Sequence, residues 1–337
     1  MRIFVTGGAG FLGSWLVETF VEAGHDVVSV DNFIGGSPEN VIKSPAHSFH
    51  EADILDLDQM TQWMAGCEVV YHTAALAYEG LSVFSPHLVT QNIVSGSVSA
   101  MTAAIQNRAR RFVQCSSMAR YGSGIPPFRE THDPRPEDPY GMAKLCAERQ
   151  ITLLGDLHGV EVVIAAPHNI IGPRQKYDDP FRNVASIMIN LMMQGRQPII
   201  YGDGTQKRCF SYVTDVLSTL TRMVDCPLEM PGEVFNVGPD EQPVTINELA
   251  ETIAELLGFA LDPVYVPARP AEVKLAVCSS DKIRQRFGYM TQVSLRDGLA
   301  AMIEHIRRSG GPRPFKYHLP IEILNESVPA TWRERRF

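Results

Sequence analysis

Residues 6–13 read TGGAGFLG and directly succeed the apolar run RIFV at residues 2–5. The glycines Gly7, Gly10 and Gly13 recur at a spacing of three between a predicted strand and a predicted helix. Such glycines either make only a tight turn or let the backbone approach a phosphate, whose charge is attracted by the free N–H groups of the helix start. The next strand-like run along the chain distinguishes these two explanations.

Asp31 ends that second run, DVVSVD at residues 26–31. An acid about 20 residues after a glycine turn accepts the ribose hydroxyls of an adenosine, and it repels the 2′-phosphate of NADP. A solvated strand end is the alternative explanation for this acid. The combination favours a dinucleotide site, and NAD over NADP, with the predicted cofactor residues Gly7, Gly10, Phe11, Leu12, Gly13 and Asp31.

Apolar runs alternate with helical segments through the first half of the chain. The segment FLGSWLVETFVEAG, for example, has apolar residues at helical spacing and ends at Gly24. Short valine-rich strands that alternate with helices predict an α/β fold, a doubly wound parallel sheet of the Rossmann type covered on both faces. The strand-like runs are RIFVT (2–6), DVVSVD (26–31), EVVYHTAA (68–75), RFVQCS (111–116) and VEVVIAAP (160–167).

The pattern is less regular after Pro167. Its best-defined element is a helix in TINELAETIAELLG, with Thr245 as the N-cap and Gly258 as the C-cap. We predict an NAD-binding domain of residues 1–167 that also takes in 205–237, and a smaller, mostly helical substrate-binding lobe of 168–204 and 238–310. The tail, 311–337, has little periodicity and is expected to wrap the surface.

Composition excludes several classes of function. The 337 residues carry a net charge of −8, so binding to nucleic acid or to an anionic membrane is not expected. The chain has neither a signal-peptide pattern nor an apolar segment of the roughly 18 to 20 residues that cross a bilayer, so we expect a cytoplasmic protein. Six cysteines without a C-x-x-C pair predict reduced thiols, and no metal site is expected.

The stretch PYGMAKLCAERQ places Tyr140 and Lys144 four residues apart, and therefore on one face of a predicted helix. A phenol holds its proton up to a pKa near 10, and a neighbouring ammonium or the positive nicotinamide of NAD favours the phenolate. Ser116 and Ser117 end the preceding strand-like run. A serine hydroxyl is expected to hold the substrate oxygen while Tyr140 takes its proton and hydride leaves for the nicotinamide.

These motifs together resemble the extended short-chain dehydrogenase/reductases, and within them the nucleotide-sugar epimerase/dehydratase group. The resemblance covers about residues 1–305. The motifs that carry it are TGGAGFLG, DNF (31–33), ADI (52–54), HTAA (72–75), SSMARYG (116–122), YGMAK (140–144), HNIIGPRQ (168–175), GDGTQKRCF (202–210), NVG (236–238) and RPAEV (269–273).

The resemblance implies roles for further residues. Asp53 and Ile54 are expected to meet the adenine, and Ala74 to line the dinucleotide path. Ser117, with Tyr140 and Lys144, matches the catalytic set of the family. Further cofactor contacts are expected from Asn32, Ser116 and Pro167, and substrate contacts from Glu79, Asn169, Asn183, Arg208 and Arg269, of which the two arginines would grip the diphosphate.

In the family that this chain resembles, the dehydratases carry an Asp-Glu pair directly after the catalytic hydroxyl. The 3,5-epimerases and the GDP-fucose synthases carry a cysteine two residues before the tyrosine that matches Tyr121, and the decarboxylating members carry a glutamate near the same place. This chain has Met118 and Ala119 there. The chemistry left to it is removal of hydride at C4 and its return to the other face, which is 4-epimerisation. A dehydratase or a C4 reductase is the alternative enzyme, and a non-catalytic NAD-sensing regulatory protein is the alternative of another class.

The substrate is less well defined by the sequence. Glu79 and Gly80 stand where uronate epimerases supply an arginine, which disfavours UDP-glucuronate, and a small Ala276 at the position that resembles a size gate would admit an N-acetyl group. His168 is expected either to touch the nicotinamide or sugar or only to fill space. The predicted helices at 88–108 and 140–156 resemble a family dimer interface, so a homodimer is expected.

Overall fold

The computed structural model describes residues 1–270 and 273–337. The motif RPAEV is therefore covered in part, since Ala271 and Glu272 lie outside the described residues. The strands are β1 (Arg2–Thr6), β2 (Asp26–Asp31), β3 (His47–Glu51), β4 (Val69–His72), β5 (Arg111–Cys115), β6 (Glu161–Pro167), β7 (Ile170–Ile171), β8 (Ile199–Tyr201), β9 (Lys207–Arg208), β10 (Ser211–Tyr212), β11 (Glu233–Val237), β12 (Val244–Thr245), β13 (Val264–Val266) and β14 (Leu275–Ala276).

The helices are distributed over both halves of the chain. They are α1 (Phe11–Glu22), α2 (Leu57–Trp63), α3 (Glu79–Ser82), α4 (Pro86–Thr90), α5 (Gly96–Gln106), α6 (Pro139–His158), α7 (Val184–Met193), α8 (Val213–Leu220), α9 (Ile246–Leu257), α10 (Asp281–Phe287), α11 (Leu295–Arg308) and α12 (Ala330–Arg333). Within the described ranges, no helix is long and apolar enough to cross a membrane.

The central sheet has seven parallel strands in the order β11-β6-β5-β4-β1-β2-β3. Helices α2, α5 and α6 cover one face, and α1, α8 and α10 cover the other. The predicted doubly wound fold is confirmed. Strand order reverses between β1 and β4, and a cleft outside the carboxyl ends of strands at such a switch point is where this class of fold binds ligands.

The predicted strands agree with the structure at residues 2–6 and 26–31, while β4 ends at His72, earlier than expected. The sequence analysis missed β3, whose residues HSFHE show little apolar character. Among the described residues this strand pairs only with β2, and an edge strand need not bury both of its faces. The caps of α9 are confirmed, because the Thr245 side chain accepts from the Glu248 N–H and Gly258 is left-handed.

The smaller lobe has a core of its own, in which α7, α9 and α11 pack together. The segment 311–337 is more closely packed than its sequence suggested. Much of it is exposed, as expected, yet Val328, Thr331 and Trp332 are buried. The predicted limits of the domains stay a prediction.

Candidate active site

The glycine turn joins β1 to α1 at the switch point of the sheet. Gly7 has a φ of +72°, which favours glycine, and a Cβ at this residue would lie 3.0 Å from the backbone N of Ala74. A Cβ at Gly13 would lie only 2.0 Å from the Gly7 carbonyl oxygen. Gly10 is the N-cap of α1 and brings no side chain to the first turn. The turn therefore leaves the first N–H groups of α1 accessible beside a backbone that carries no side chains. This arrangement binds a pyrophosphate.

Asp31 lies beside this turn at the end of β2. One carboxylate oxygen accepts from the Ala9 N–H at 3.1 Å and the other from the Phe33 N–H at 2.8 Å. Burial raises the pKa of Asp31, and these two N–H donors act in the opposite direction. The carboxylate has about four acceptor sites in all, so part of its acceptor capacity is left for ribose hydroxyls.

One cavity of about 420 Å³ brings the predicted residues together. It runs from the glycine turn along the strand ends to the smaller lobe. The sequence-predicted residues that line it are Gly7, Gly10, Phe11, Leu12, Gly13, Asp31, Asn32, Ile54, Ala74, Glu79, Ser116, Ser117, Tyr140, Lys144, Pro167, Asn169, Asn183, Arg208 and Arg269. Asp53 is not among the lining residues. Its carboxylate instead accepts from the Asn32 side chain at 2.9 Å and from the Leu55 N–H at 2.9 Å, so its contact with adenine stays a prediction.

Tyr140 and Lys144 lie in the first turns of α6, where the Asp138 side chain caps the helix by accepting from the Gly141 N–H at 2.8 Å. Both side chains are buried and face the cavity. The Lys144 ammonium donates to the carbonyl oxygen of Cys115, the last residue of β5, at 2.8 Å. Ser117 lies two residues later and lines the same cavity, and its hydroxyl acts to lower the pKa of the Tyr140 phenol. Helix α6 and the end of β5 thus bring the three predicted catalytic groups together.

A buried ion pair stands behind these groups. Arg120 and Glu148 are both buried, with 2.9 Å between guanidinium nitrogen and carboxylate oxygen, and Glu148 also accepts from the Ser116 hydroxyl. Arg120 donates to the Tyr121 hydroxyl at 3.2 Å, and that hydroxyl donates to Asn236 at 2.7 Å. The network connects the turn after Ser117 to α6 and to β11. It thereby fixes the position of Ser117 relative to Tyr140.

The far end of the cavity belongs to the smaller lobe. Asn183 caps α7 by accepting from the Ala185 N–H at 2.9 Å. Asn169 has a φ of +41° and donates to the Cys209 carbonyl oxygen at 3.0 Å. Arg208 lies on β9, and the Arg269 guanidinium stacks over the Tyr201 ring at 4.7 Å. Two guanidinium groups at one end of a cleft suit the oxygens of a diphosphate.

Comparison with known proteins places this site in a family. A sequence model of the NAD-dependent epimerase/dehydratase family matches residues 3–238, which include the glycine turn, Asp31, Ser117, Tyr140 and Lys144. The chain belongs to that family. It is an enzyme of the family, its cofactor is NAD, and the resemblance seen in the sequence is confirmed.

Individual relatives are similar to this chain over nearly its whole length. A UDP-glucose 4-epimerase of Mycolicibacterium smegmatis is 33% identical, with 91% of this chain and 99% of the relative covered. A UDP-N-acetyl-α-D-glucosaminuronate decarboxylase of Bacillus cytotoxicus is 31% identical, with 91% and 98% covered. The crystal structure of UDP-glucose 4-epimerase from Thermotoga maritima with UDP-glucose superposes with a TM-score of 0.85 at 31% identity, covering 92% of this chain and 99% of that one.

The residues of the cavity fit NAD. The glycine cradle, which side chains would fill, leaves room for the pyrophosphate, and Asp31 has acceptor sites for the ribose. A network of hydrogen bonds fixes the ends of β1 and β4 beside the cavity. The Thr6 hydroxyl accepts from the N–H groups of Thr73 and Ala74 at 3.1 Å each and bonds to His72 at 2.8 Å. Burial and the charge of Lys144 lower the pKa of His72 to about 3, so this imidazole stays neutral.

The pKa values of Tyr140 and Lys144 do not follow the simple expectation that the lysine lowers the pKa of the tyrosine. Burial raises the pKa of Tyr140, and its hydrogen bond with Ser117 acts in the opposite direction. Burial lowers the pKa of Lys144 to about 8, against the smaller opposite effects of Cys115 and Glu148. Desolvation therefore dominates the pKa of Tyr140 in the protein alone, where the charge of Arg182 opposes it, and the positive charge of the nicotinamide would favour the phenolate further.

Two cations of the cavity were missed by the sequence analysis, Lys176 and Arg182. The Arg182 guanidinium lies 4.5 Å over the Tyr78 ring, pairs with Asp179 at 3.5 Å and donates to the Gly35 carbonyl oxygen at 3.2 Å. The ring and the carbonyl come from distant parts of the sequence, so the only local signals were the nearby acid and the adjacent Asn183. Glu79 and Gly80 are the basis for disfavouring a carboxylated sugar, whereas Arg182, which also pairs with Asp179, adds a positive charge to the same cavity.

Two further residues take structural positions. His168 is buried and bonds to the Pro239 carbonyl oxygen at 2.7 Å, and it is not among the residues that line the cavity. The space-filling alternative for His168 therefore fits the structure. Ala276 pairs with Arg208 between β14 and β9, and it does not line the cavity either. The role of Ala276 as a size gate therefore stays a prediction.

Proposed function

We propose that this protein epimerises C4 of a nucleotide-diphosphate sugar, of the UDP-glucose/galactose or N-acetylhexosamine type, through a transient 4-keto sugar. The proposal depends on the residues of the turn after Ser117. Met118 and Ala119 in this turn have side chains that transfer no proton, whereas Ser117, Tyr140 and Lys144, the residues needed for oxidation at C4, are all present.

The proposed chemistry uses only that set. The Ser117 hydroxyl would hold the C4 oxygen, and Tyr140 would take its proton and later return it. Lys144, whose ammonium lies 5.8 Å from the centre of the Tyr140 ring, would place positive charge beside the phenol and so assist the nicotinamide in favouring the phenolate. The cofactor supplies reversible acceptance of the C4 hydride. No further acid or base is needed when hydride returns to the other face of the same carbon.

Arg208 and Arg269 support a diphosphate at the smaller lobe, and the two bacterial relatives act on UDP sugars by their names. A second substrate class is favoured by one observation. Arg182 and Lys176 line the same cavity, and a sugar carboxylate at C6 would find its counter-charge there. A uronate sugar is therefore the alternative substrate, with 4-epimerisation or decarboxylation as its reaction.

The test is incubation of the purified protein in deuterated water with UDP-glucose, UDP-N-acetylglucosamine, dTDP-glucose and UDP-glucuronate, each monitored by proton NMR. We expect the C4 epimers to interconvert without deuterium uptake in at least one of the four. A new 6-deoxy methyl signal, deuterium at C3 or C5, or a pentose product would overturn the proposal in favour of dehydration, 3,5-epimerisation or decarboxylation. No turnover of any sugar by a protein that binds NAD would favour a regulatory protein.

Matched tyrosine variants test the role of the phenol. Tyr140→Phe should lose at least about a thousandfold in kcat, since general acid–base catalysis contributes roughly that much. NAD affinity should change little because the ring remains. The control is Tyr265→Phe, which removes an exposed phenol of β13 outside the cavity and should leave kcat unchanged. Activity of Tyr140→Phe at the wild-type level would exclude this phenol as the proton carrier.

A further inference from the structure

The segment 311–337 bonds to both lobes and contacts residues that form the wall of the cavity at its substrate end. On the side of the smaller lobe, the Asn190 side chain of α7 donates to the Arg313 carbonyl oxygen at 2.8 Å and accepts from the Arg313 N–H at 3.0 Å. The Lys316 ammonium lies 3.0 Å from the Asp178 carboxylate. The first part of the segment is thereby fixed to the element that carries Asn183.

The middle of the segment is fixed to the other lobe, at the loop of residues 76–88 that carries α3. The Ser85 hydroxyl donates to the Pro320 carbonyl oxygen at 2.7 Å. The Glu322 carboxylate accepts from the N–H groups of His87 and Leu88 at 2.9 Å each, at the start of α4. A carboxylate on the unpaired N–H groups of a helix start is a stabilising contact.

Trp332 of α12 contacts both the smaller lobe and the loop of residues 76–88. Its indole packs edge-on against Phe181, with 5.1 Å between ring centroids, and against Phe84 of the loop at 5.9 Å. A Cβ built on Gly80 would lie 3.4 Å from its Cη2 atom. The neighbouring Thr331 hydroxyl bonds to the Tyr201 hydroxyl at 2.5 Å.

Three of the residues contacted in this way, Gly80, Phe181 and Tyr201, themselves line the cavity. They come from different lobes, and the contacts with Thr331 and Trp332 connect them. The match to the family ends at residue 238, so this segment lies outside the part of the chain that the family model matches. The partners of the segment are thus residues of the cavity wall at its substrate end.

We propose that residues 311–337 form a strap that sets the substrate end of the cavity, with Trp332 as its positioning residue. The strap holds the loop 76–88 and strand β8 at a fixed separation, and so fixes the wall against which the sugar nucleotide lies. The identity of the substrate in this proposal rests on the proposed function, whereas the contacts of the strap do not. Loss of the Trp332 contacts loosens the substrate end and leaves the NAD end intact.

The test compares three variants of the full-length protein. Trp332→Ala removes the packing, Trp332→Phe retains an aromatic ring against Phe181 and Phe84, and Leu324→Ala changes an exposed residue of the same strap. We expect Trp332→Ala to raise KM for the sugar nucleotide at least about tenfold, with kcat within about threefold and NAD affinity unchanged. Trp332→Phe and Leu324→Ala should remain within about twofold of the wild type.

Hydrogen exchange measured by mass spectrometry tests the strap without any turnover. In Trp332→Ala, peptides that cover residues 76–88 and 196–201 should exchange faster, whereas peptides of β2 near Asp31 should keep the wild-type rate. Unchanged exchange in both regions, or equal acceleration everywhere, would overturn the strap. If exchange changes as expected but no sugar is epimerised even by the wild type, the proposed function fails and the strap stands.

Discussion

The ammonium of Lys144 lies buried in the cavity, and burial lowers its pKa to about 8. The pKa in the unfolded chain is near 10.4, so between these two values the unfolded state binds more protons than the folded state. Folding stability therefore rises with pH through this interval, and below it the buried charge is unfavourable. A difference of this size corresponds to about 3 kcal/mol at pH 7. A buried lysine to which we assign a role in the proposed chemistry is thus expected to destabilise the fold.

Replacement of this lysine should separate stability from activity. We expect Lys144→Met to unfold at higher urea concentration at pH 7, with a gain of about 1–2 kcal/mol after allowance for the unpaired Cys115 carbonyl. Turnover should be lost. The gain should decrease as the pH rises from 8 toward 10, because the wild-type ammonium then loses its proton in the folded state. The exposed Lys43→Met is the control, and a Lys144→Met protein less stable than the wild type at pH 7 would contradict the argument.

At the scale of an element, β1, the glycine turn and α1 act as one unit. Gly13 is already inside the helix, yet its Cα faces the Gly7 carbonyl oxygen so closely that an added Cβ would lie 2.0 Å away. Atoms cannot approach to that distance, so the helix start has to move away from the turn. The N–H groups that would meet the pyrophosphate move with it.

Gly13→Ala should therefore lower NAD affinity at least about tenfold, or about 1.4 kcal/mol, measured by calorimetric titration. Gly24→Ala is its matched control. Gly24 has a φ of +80° just after the same helix, and a Cβ there would meet no atom within 4 Å. That substitution should cost about 1–2 kcal/mol of stability through left-handed strain and leave NAD affinity unchanged. Equal NAD affinity in the two variants would contradict the role given to the turn.

At the scale of the whole molecule, the elements predicted correctly are those whose signal is local. Gly7 and Gly13 sit between one strand and one helix, Asp31 ends the next strand, and Tyr140 and Lys144 share a helical face because they are four residues apart. Each pattern is complete within a single stretch of chain that spans at most one strand, one helix and the next strand. The fold class and the NAD site can be predicted from such patterns.

The features missed from the sequence depend on contacts between distant segments. Arg182 faces the cavity because Tyr78, 104 positions earlier in the numbering, stacks against it. The Asp53 carboxylate faces Asn32 rather than the cavity. Trp332 is buried in a cluster that includes Phe84 and Phe181, which are distant from it in the sequence. None of these pairings leaves a periodic signal, since each partner satisfies its own local pattern equally well without the other.

The outer face of α6 is the feature from which we propose an assembly of two copies. Met142, Leu153 and Leu157 are 58%, 58% and 67% exposed, and with the exposed Cys146 they occupy one side of the helix. A row of exposed apolar side chains along one long helix is typical of a surface that another protein covers. A twofold axis beside α6 would pair this row with itself, because a closed dimer uses the same surface in both copies.

The charge-bearing double variant Leu153→Glu/Leu157→Glu should convert this dimer into monomers in sedimentation velocity at micromolar concentration, since four carboxylates would then meet across the axis. Met290→Glu, at a residue that is 68% exposed elsewhere, is the control and should leave the mass unchanged. Cys146 gives a second measurement on the same face. Its thiol should react with an aromatic disulfide reagent more slowly in the wild type than in the double variant, because the partner copy covers it. A wild type that sediments as a monomer, with Cys146 equally reactive in both proteins, would exclude this face as the dimer interface.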